Sequence, residues 1–255
     1  MHVYEKLADG SVEPRHFVPM ASRPDALRPT RVTDLRKWIK EGKTVKPSVT
    51  TVMDMWAKPG LVNWLINQPL HQAYALDRGS MSENQWIEEV KRLTEVEKDK
   101  APNAGTEAHE AMQRGDETGT VPEGFEQLYA NACEAVENWC GFRQWQCEVN
   151  FCAEHYAGQA DRVSDGFIVD WKTKQFAEKF KPGAMLYRNH WMQLAAYRQG
   201  LGMPGAKCAI GFLCLETNEV EIAPVSEVQL QSGWRSFTRA LAEFYETKLD
   251  MEIMV

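Results

Sequence analysis

The chain has no run of eighteen uninterrupted apolar residues among its 255, which argues against a membrane-spanning helix. Its opening stretch, MHVYEKLADGSVEPRHF, mixes charges throughout and has no apolar centre, so it does not read as a secretory signal. No cysteines stand as a C-x-x-C pair, and the six at 133, 140, 147, 152, 208 and 214 fit no zinc or iron–sulfur spacing. They read as reduced, buried thiols in a cytoplasmic protein. Internal repeats and low-complexity tracts are also missing. Ordinary apolar content and nine tryptophans allow a sizeable core.

The net charge of −7 by itself argues against a nucleic-acid partner, but its distribution argues the other way. Residues 156–207 hold eight Lys/Arg against four acids, and residues 13–46 hold nine against four. Such segregation can direct a local field at a polyanion despite an acidic total.

Periodicity divides the chain in two. Residues 1–45 contain proline and arginine with little pattern, and are expected to be an extended or loop-rich basic segment. KPSVTTVMDMW then opens a helix capped by Ser48, with Val49, Val52, Met53 and Trp56 at helical spacing. KPG at 58–60 should break that helix, and Pro69 should end the next short one. Ser82 and Gln85 form a capping box for a further helix, with Trp86, Val90, Leu93 and Val96 as its buried stripe. Pro102 and Gly105 should interrupt it. Phe125, Leu128, Tyr129, Ala132, Val136 and Trp139 mark one more helical face. From residue 141 the period changes. WQCEVNFCAE alternates, with Trp145, Cys147, Val149 and Phe151 on one side and Gln146, Glu148 and Asn150 on the other. Strands, a helix from 185 to about 200, two further strands and a final amphipathic helix follow. The class is mixed α/β with a mainly helical N-terminal part over 46–140 and an α/β core over 141–255.

YAGQADRVSDGFIVDWKTK carries the densest chemistry. Asp165-Gly166 is the signature of a two-residue hairpin turn. That register pairs Val163 with Ile168, Asp161 with Asp170, and Gln159 with Lys172, and alternation puts Asp161, Asp170 and Lys172 on one face. Opposed β-carbons lie roughly 4.5–5.5 Å apart, where like charges repel. A hard divalent cation removes the repulsion; Mg²⁺ takes oxygen ligands and keeps several waters. Metal and lysine together suit phosphodiester hydrolysis. An exposed hairpin with scattered charge would show the same spacing.

GQAD followed by DWKTK resembles the G-x-x-D…D-x-K core of the PD-(D/E)xK nucleases, in the RecB-like branch. GTEAHE is similar to the upstream G-T-x-x-H motif of that branch, and QLAAY to its downstream Q-x-x-x-Y motif. PSVTTVM resembles an N-terminal motif of the phage exonucleases and of the mitochondrial genome maintenance exonuclease. The likeness runs from about residue 46 to about residue 247.

The resemblance implies a restriction-endonuclease-like mixed sheet flanked by helices. It implies His109, Asp161 and Asp170 as metal ligands, the Trp171 backbone carbonyl as a fourth, and Lys172 as the catalytic lysine. Gln193 and Tyr197, four apart on one helical face, would position Lys172, the water or the scissile phosphate. Glu148 matches an acidic position of the family, either supporting the ligands from outside or lying on the polar face of a strand. Ser48 and Thr50 at a helix start are candidates for phosphate contact, with Lys174 and Arg188 as further DNA-binding residues. Trp56, Trp64, Trp86 and Trp191 suit either base stacking or core packing. The implied activity is a Mg²⁺- or Mn²⁺-dependent DNA exonuclease acting on single-stranded ends. A phage-type duplex exonuclease serving recombination, or a non-catalytic DNA binder that keeps the fold, stands as the alternative. The C-terminal EFYETKLDMEIMV has no cysteine, so the iron–sulfur cluster of some relatives is not expected. No membrane partner is expected, and a bacterial or phage-infected cytoplasm is the expected location.

Overall fold

The computed structural model describes the backbone of all residues except 21–22, 57–58, 252 and 254–255, and also leaves aside the side chains of 24, 59–61, 64 and 97–103. The chain forms two compact units, one of residues 1–56 with 111–255 and one of residues 57–110.

The N-terminal segment is more regular than its sequence suggests. It forms β1 (Val3–Lys6), β2 (Val12–Pro14), β3 (Phe17–Met20), β4 (Arg23–Pro29), the helix α1 (Val32–Lys40) and β5 (Val45–Pro47). Most of these strands have three or four residues, too few to display a period of two. β1 lies between β2 and β5, antiparallel to both, while β3 and β4 make a separate hairpin. Val3, Leu35 and Val45 are fully buried, so this segment belongs to the core. The short helix α2 (Val49–Met53) follows, capped as expected by Ser48, whose hydroxyl accepts the Thr51 N–H.

The second unit contains α3 (Pro59–Ala75) and most of α4 (Glu83–Thr118). α3 runs through Pro69 instead of ending there. The expected break at KPG falls partly on residues 57–58, outside the described ones. Ser82 and Gln85 do form the capping box of α4, each side chain meeting the other's backbone N–H. α4 continues past Pro102 and Gly105, against the expected interruption. A proline removes one donor and more often bends a long helix than ends it once flanking turns hold. Val90 is buried and Val96 exposed, so the apolar stripe stops short of its expected end.

In the first unit, α5 (Glu126–Cys140) precedes β6 (Gln146–Cys152), β7 (Ala157–Ser164) and β8 (Phe167–Lys174). Then come α6 (Arg188–Gly200), β9 (Lys207–Cys214), β10 (Val220–Val225) and α7 (Glu227–Phe244). The five strands form one sheet in the order β10-β9-β8-β7-β6. Only β8 and β9 run parallel within it, joined by the crossover through α6. One face of the sheet packs Val169, Trp171 and Leu213 on Leu128, Ala132 and Val136 of α5. The other packs Ile168, Ile210 and Phe212 on Leu194 and Ala195 of α6 and Leu230 of α7. The fold is therefore mixed α/β, a five-stranded mixed sheet flanked by helices. Among the described residues no helix is long and apolar enough to cross a membrane.

Gly211 and Gly233 are among the glycines that allow close approaches. A β-carbon at Gly211 of β9 would stand 2.1 Å from the Trp171 ring. One at Gly233 of α7 would stand 2.4 Å from the Trp191 carbonyl oxygen of α6. At Gly233 the obstacle is backbone and cannot rotate away. Gly233→Ala should therefore cost about 1–3 kcal/mol of stability as α6 and α7 are pushed apart. Urea unfolding that leaves the midpoint unchanged would contradict this close approach.

Candidate active site

The predicted turn is present: Ser164 pairs with Phe167, Val163 with Ile168 and Arg162 with Val169, around Gly166 at φ +74°. The ladder stops there. The expected pairs Asp161–Asp170 and Gln159–Lys172 do not form, and Gln159 pairs with Asn150 of β6. Asp161 Oδ2 instead accepts the Trp171 backbone N–H at 2.7 Å. A carboxylate thus occupies the place of a strand carbonyl where β7 and β8 part. The N–H and C=O of one strand residue point to the same side, so the Trp171 carbonyl also faces this gap.

β6 distorts at the same level. Cys147 pairs with Arg162 and Val149 with Ala160, leaving Glu148 opposite Asp161 without a ladder pair. Glu148 has φ +50°, a conformation uncommon for a residue with a side chain and one that stores strain at functional positions. The distortion corrects the expected alternation. Cys147 Sγ donates to Asp116 Oδ2 on the α5 side of the sheet, whereas Phe151 packs edge-on against Tyr197 of α6. A carboxylate oxygen of Glu148 lies within 4.8 Å of one of Asp161. Burial pushes the Glu148 carboxyl up to about 7, reinforced by the charges of Asp161, Asp170 and Glu117.

Asp170 is 1% exposed and doubly engaged. Lys172 Nζ forms an ion pair with Oδ2, and Gln193 Nε2 donates to Oδ1 at 2.9 Å. Gln193 Nε2 also donates to the Tyr197 hydroxyl at 2.8 Å. Through Gln193 the pair reaches Asp170, which in turn pairs with Lys172. Gln193 and Tyr197 are both buried, one turn apart on α6. The Lys172 side chain keeps 31% exposure. Burial pulls its ammonium down, but Asp170 and then Asp161 outweigh that and leave it raised, so it is a cation at neutral pH. Burial, followed by Asp170 and Asp161, drives the Tyr197 phenol far above its ordinary range.

The first unit thus gathers Glu148, Asp161, Asp170, Trp171, Lys172, Gln193 and Tyr197. His109 lies half-buried on α4 in the second unit, two residues before that helix crosses into the first. Ser48 is buried, and its hydroxyl meets the Thr51 N–H and the hydroxyls of Thr50 and Thr51; Thr50 is exposed. Lys174 ends β8, half-buried, and Arg188 opens α6, exposed. The Trp86 indole donates to the Leu76 carbonyl within the second unit, and Trp191 packs against the core; the Trp64 side chain lies outside the described ones.

Two neighbours escaped the sequence reading. Tyr4 of β1 has its phenol pushed up to about 12, first by burial and then by Glu148 and Asp161. Nothing in VYEK announces a role beside residues more than a hundred positions away. His190 of α6 is buried, its Nδ1 accepting the Tyr187 backbone N–H at 3.1 Å. Burial and then the Lys172 charge push it down to about 4, so it is neutral. Its spacing of three and seven from Gln193 and Tyr197 was a usable signal for the same helix face.

The donor set suits a hard cation: clustered carboxylate oxygens, one of them proton-hungry through burial and then its acidic neighbours, with a strand carbonyl facing the same gap. No family model matches the chain, and neither does any curated protein sequence. Among solved structures it is similar to a protein from Eubacterium rectale proposed to be an exonuclease, at 16% identity and TM-score 0.39. That match covers 63% of this chain and 63% of the other. It is also similar to a phage-related exonuclease from Haemophilus somnus 129PT, at 11% identity and TM-score 0.31, covering 56% and 81%.

The raised Glu148 carboxyl carries a pH signature. The folded protein holds this proton more tightly than the unfolded chain, whose glutamate titrates near 4.5. Its contribution to stability is full below about pH 4.5 and lost as pH rises through about 7. Glu148→Gln should therefore melt above the parent at pH 8 in chelator, with the difference closing below pH 4.5. Equal melting at pH 8 would remove Glu148 from the acidic cluster.

Proposed function

We propose that this protein is a divalent-metal-dependent nuclease that hydrolyses DNA phosphodiester bonds from single-stranded ends. The observation that carries the reading is the buried Asp170 held between Lys172 and Gln193, beside the facing pair Glu148 and Asp161. A hairpin with scattered surface charge has no reason to bury an aspartate and satisfy it from a second element.

In this reading Asp161, Asp170 and the Trp171 carbonyl hold the ion, with Glu148 as an additional carboxylate and His109 as a nitrogen ligand. His109 enters this reading on the resemblance of GTEAHE to the upstream motif of the nuclease branch. Mg²⁺ or Mn²⁺ fits these ligands, and when bound it polarises the phosphoryl oxygen and makes water easier to deprotonate. Lys172 keeps its proton, so its role is to hold the attacking water or neutralise charge growing on the phosphate, not to act as a base. Gln193 and Tyr197 fix the Asp170 carboxylate, and Glu148 adds negative charge beside Asp161 for the ion. Attack is in line, with no covalent enzyme intermediate.

Labelled single- and double-stranded oligonucleotides, with free and blocked ends, test the reading with and without Mg²⁺ or Mn²⁺. Turnover is expected on free single-stranded ends and lost in chelator. Asp170→Asn and Lys172→Ala should each lower the rate by roughly 10²–10³-fold or more, the range for removing one group that stabilises the transition state. His109→Ala should raise the metal concentration needed for half-maximal rate. Equal turnover of duplex ends would move the substrate to double-stranded DNA. Chelator-insensitive binding without turnover would make the protein a binder that keeps the fold.

A further inference from the structure

The loop from Gln175 to Tyr187 joins β8, which bears Asp170 and Lys172, to α6, which bears Gln193 and Tyr197. It is firmly held. Phe180 and Met185 are buried among the core residues, and a single 3-10 turn spans Ala177–Lys179. The Ala177 N–H donates to Glu216 Oε2 at 2.6 Å and the Gly183 N–H to Glu221 Oε1 at 2.7 Å. These anchors come from the turn after β9 and from β10, so the loop is a shelf on the sheet.

Two aromatic side chains nevertheless stay in solvent. Phe176 is 41% exposed and Tyr187 56% exposed. A cation lies beside Phe176, and another follows Tyr187 in the chain. Lys179 Nζ lies 5.3 Å from the centre of the Phe176 ring. Arg188, next to Tyr187, lies 5.6 Å over the half-buried Trp56 ring and donates to the Ser236 hydroxyl at 2.7 Å. Lys174 and Lys181 add further positive charge; Glu178 is the one exposed acid of the loop. An anchored loop that keeps aromatic rings in water, with Lys174, Lys179, Lys181 and Arg188 along and beside it, fits a partner with flat apolar faces on a polyanionic backbone. Unpaired nucleotides have that chemistry, because every base offers a face for stacking. Paired bases in a duplex keep those faces covered.

We infer that the Gln175–Tyr187 shelf is the binding surface for unpaired nucleotides, with Phe176 and Tyr187 as stacking platforms and Lys179, Lys181 and Arg188 as phosphate contacts. The shelf adjoins the candidate active site through the chain at both ends, so a strand lying on it leads to Asp170 and Lys172. The inference deepens the nuclease reading and rests on it for the role of the bound strand. Binding itself needs no turnover.

The test is therefore equilibrium binding of labelled oligo-dT and of a blunt duplex to the full-length protein in EDTA, where no metal-dependent hydrolysis occurs. Phe176→Ala with Tyr187→Ala should weaken oligo-dT binding about tenfold or more and duplex binding less than about threefold. Phe176→Tyr and Tyr187→Phe, which keep a ring, should retain affinity. Lys179→Ala with Lys181→Ala should reduce the salt slope of log K for oligo-dT by about 0.7 for each phosphate no longer neutralised. Unchanged oligo-dT affinity in the double alanine variant, equal losses on strand and duplex, or failure of the conservative variants to retain binding would each overturn the shelf. Absence of Mg²⁺ or Mn²⁺ turnover in the parent, with shelf-dependent binding intact, would sink the nuclease reading instead.

Discussion

The parting of two strands determines what the rest of the site can be. β7 and β8 run as a tight hairpin for three pairs and then separate at Asp161 and Asp170. The Trp171 N–H released by that separation goes to the Asp161 carboxylate. A backbone donor left without a partner in the sheet would cost free energy, so the hydrogen bond both closes the gap and fixes the carboxylate beside it. On the other side of β7, the left-handed residue Glu148 breaks the next ladder at the same level. Both distortions bring acidic side chains toward one place.

Such a cluster is electrostatically costly, and the surroundings respond in graded ways. Asp170, the most buried member, is stabilised by the Lys172 ammonium and the Gln193 amide. Glu148 has no such cation assigned to it and responds by holding its proton more tightly. Tyr4, Tyr197 and His190 all stay neutral at the border, their charged forms disfavoured first by burial. A site with one fixed cation, one proton-hungry carboxylate and neutral neighbours is short of positive charge. The proposed divalent ion would supply it.

The opposite face of the same strands is built on different physics. Arg162 and Asp116 form a buried ion pair, with the Arg162 guanidinium 4.8 Å over the Trp145 ring and 5.6 Å from that of Trp171. Charge there is compensated within the protein and packed against aromatics. Adjacent residues of β7 therefore meet opposite surroundings: Arg162 a packed ion pair, Asp161 the acidic cluster. The α6–α7 packing at Gly233 supports the other side, because the helix carrying Gln193 and Tyr197 can approach the sheet only as its fit against α7 allows.

Much of this was legible in the residues. Asp165-Gly166 specified the turn and hence the register of its first three pairs, because two-residue hairpins have few geometries. Gln193 and Tyr197 announced a shared helix face by spacing alone, and Ser48 and Ser82 announced helix starts through capping chemistry. What the sequence could not express was where regularity would fail. A strand period places Glu148 on a face but cannot say that its backbone will turn left-handed, nor that the ladder beyond Arg162 will open. Pro69 and Pro102 read as helix ends because local propensity knows nothing of the turns that hold on either side. Tyr4 reached the acidic cluster only through the packing of β1 against β6 and β7. Local chemistry determined the turn, the caps and the candidate residues; tertiary packing decided the gap between the strands, since only long-range contacts can hold like charges together against their repulsion.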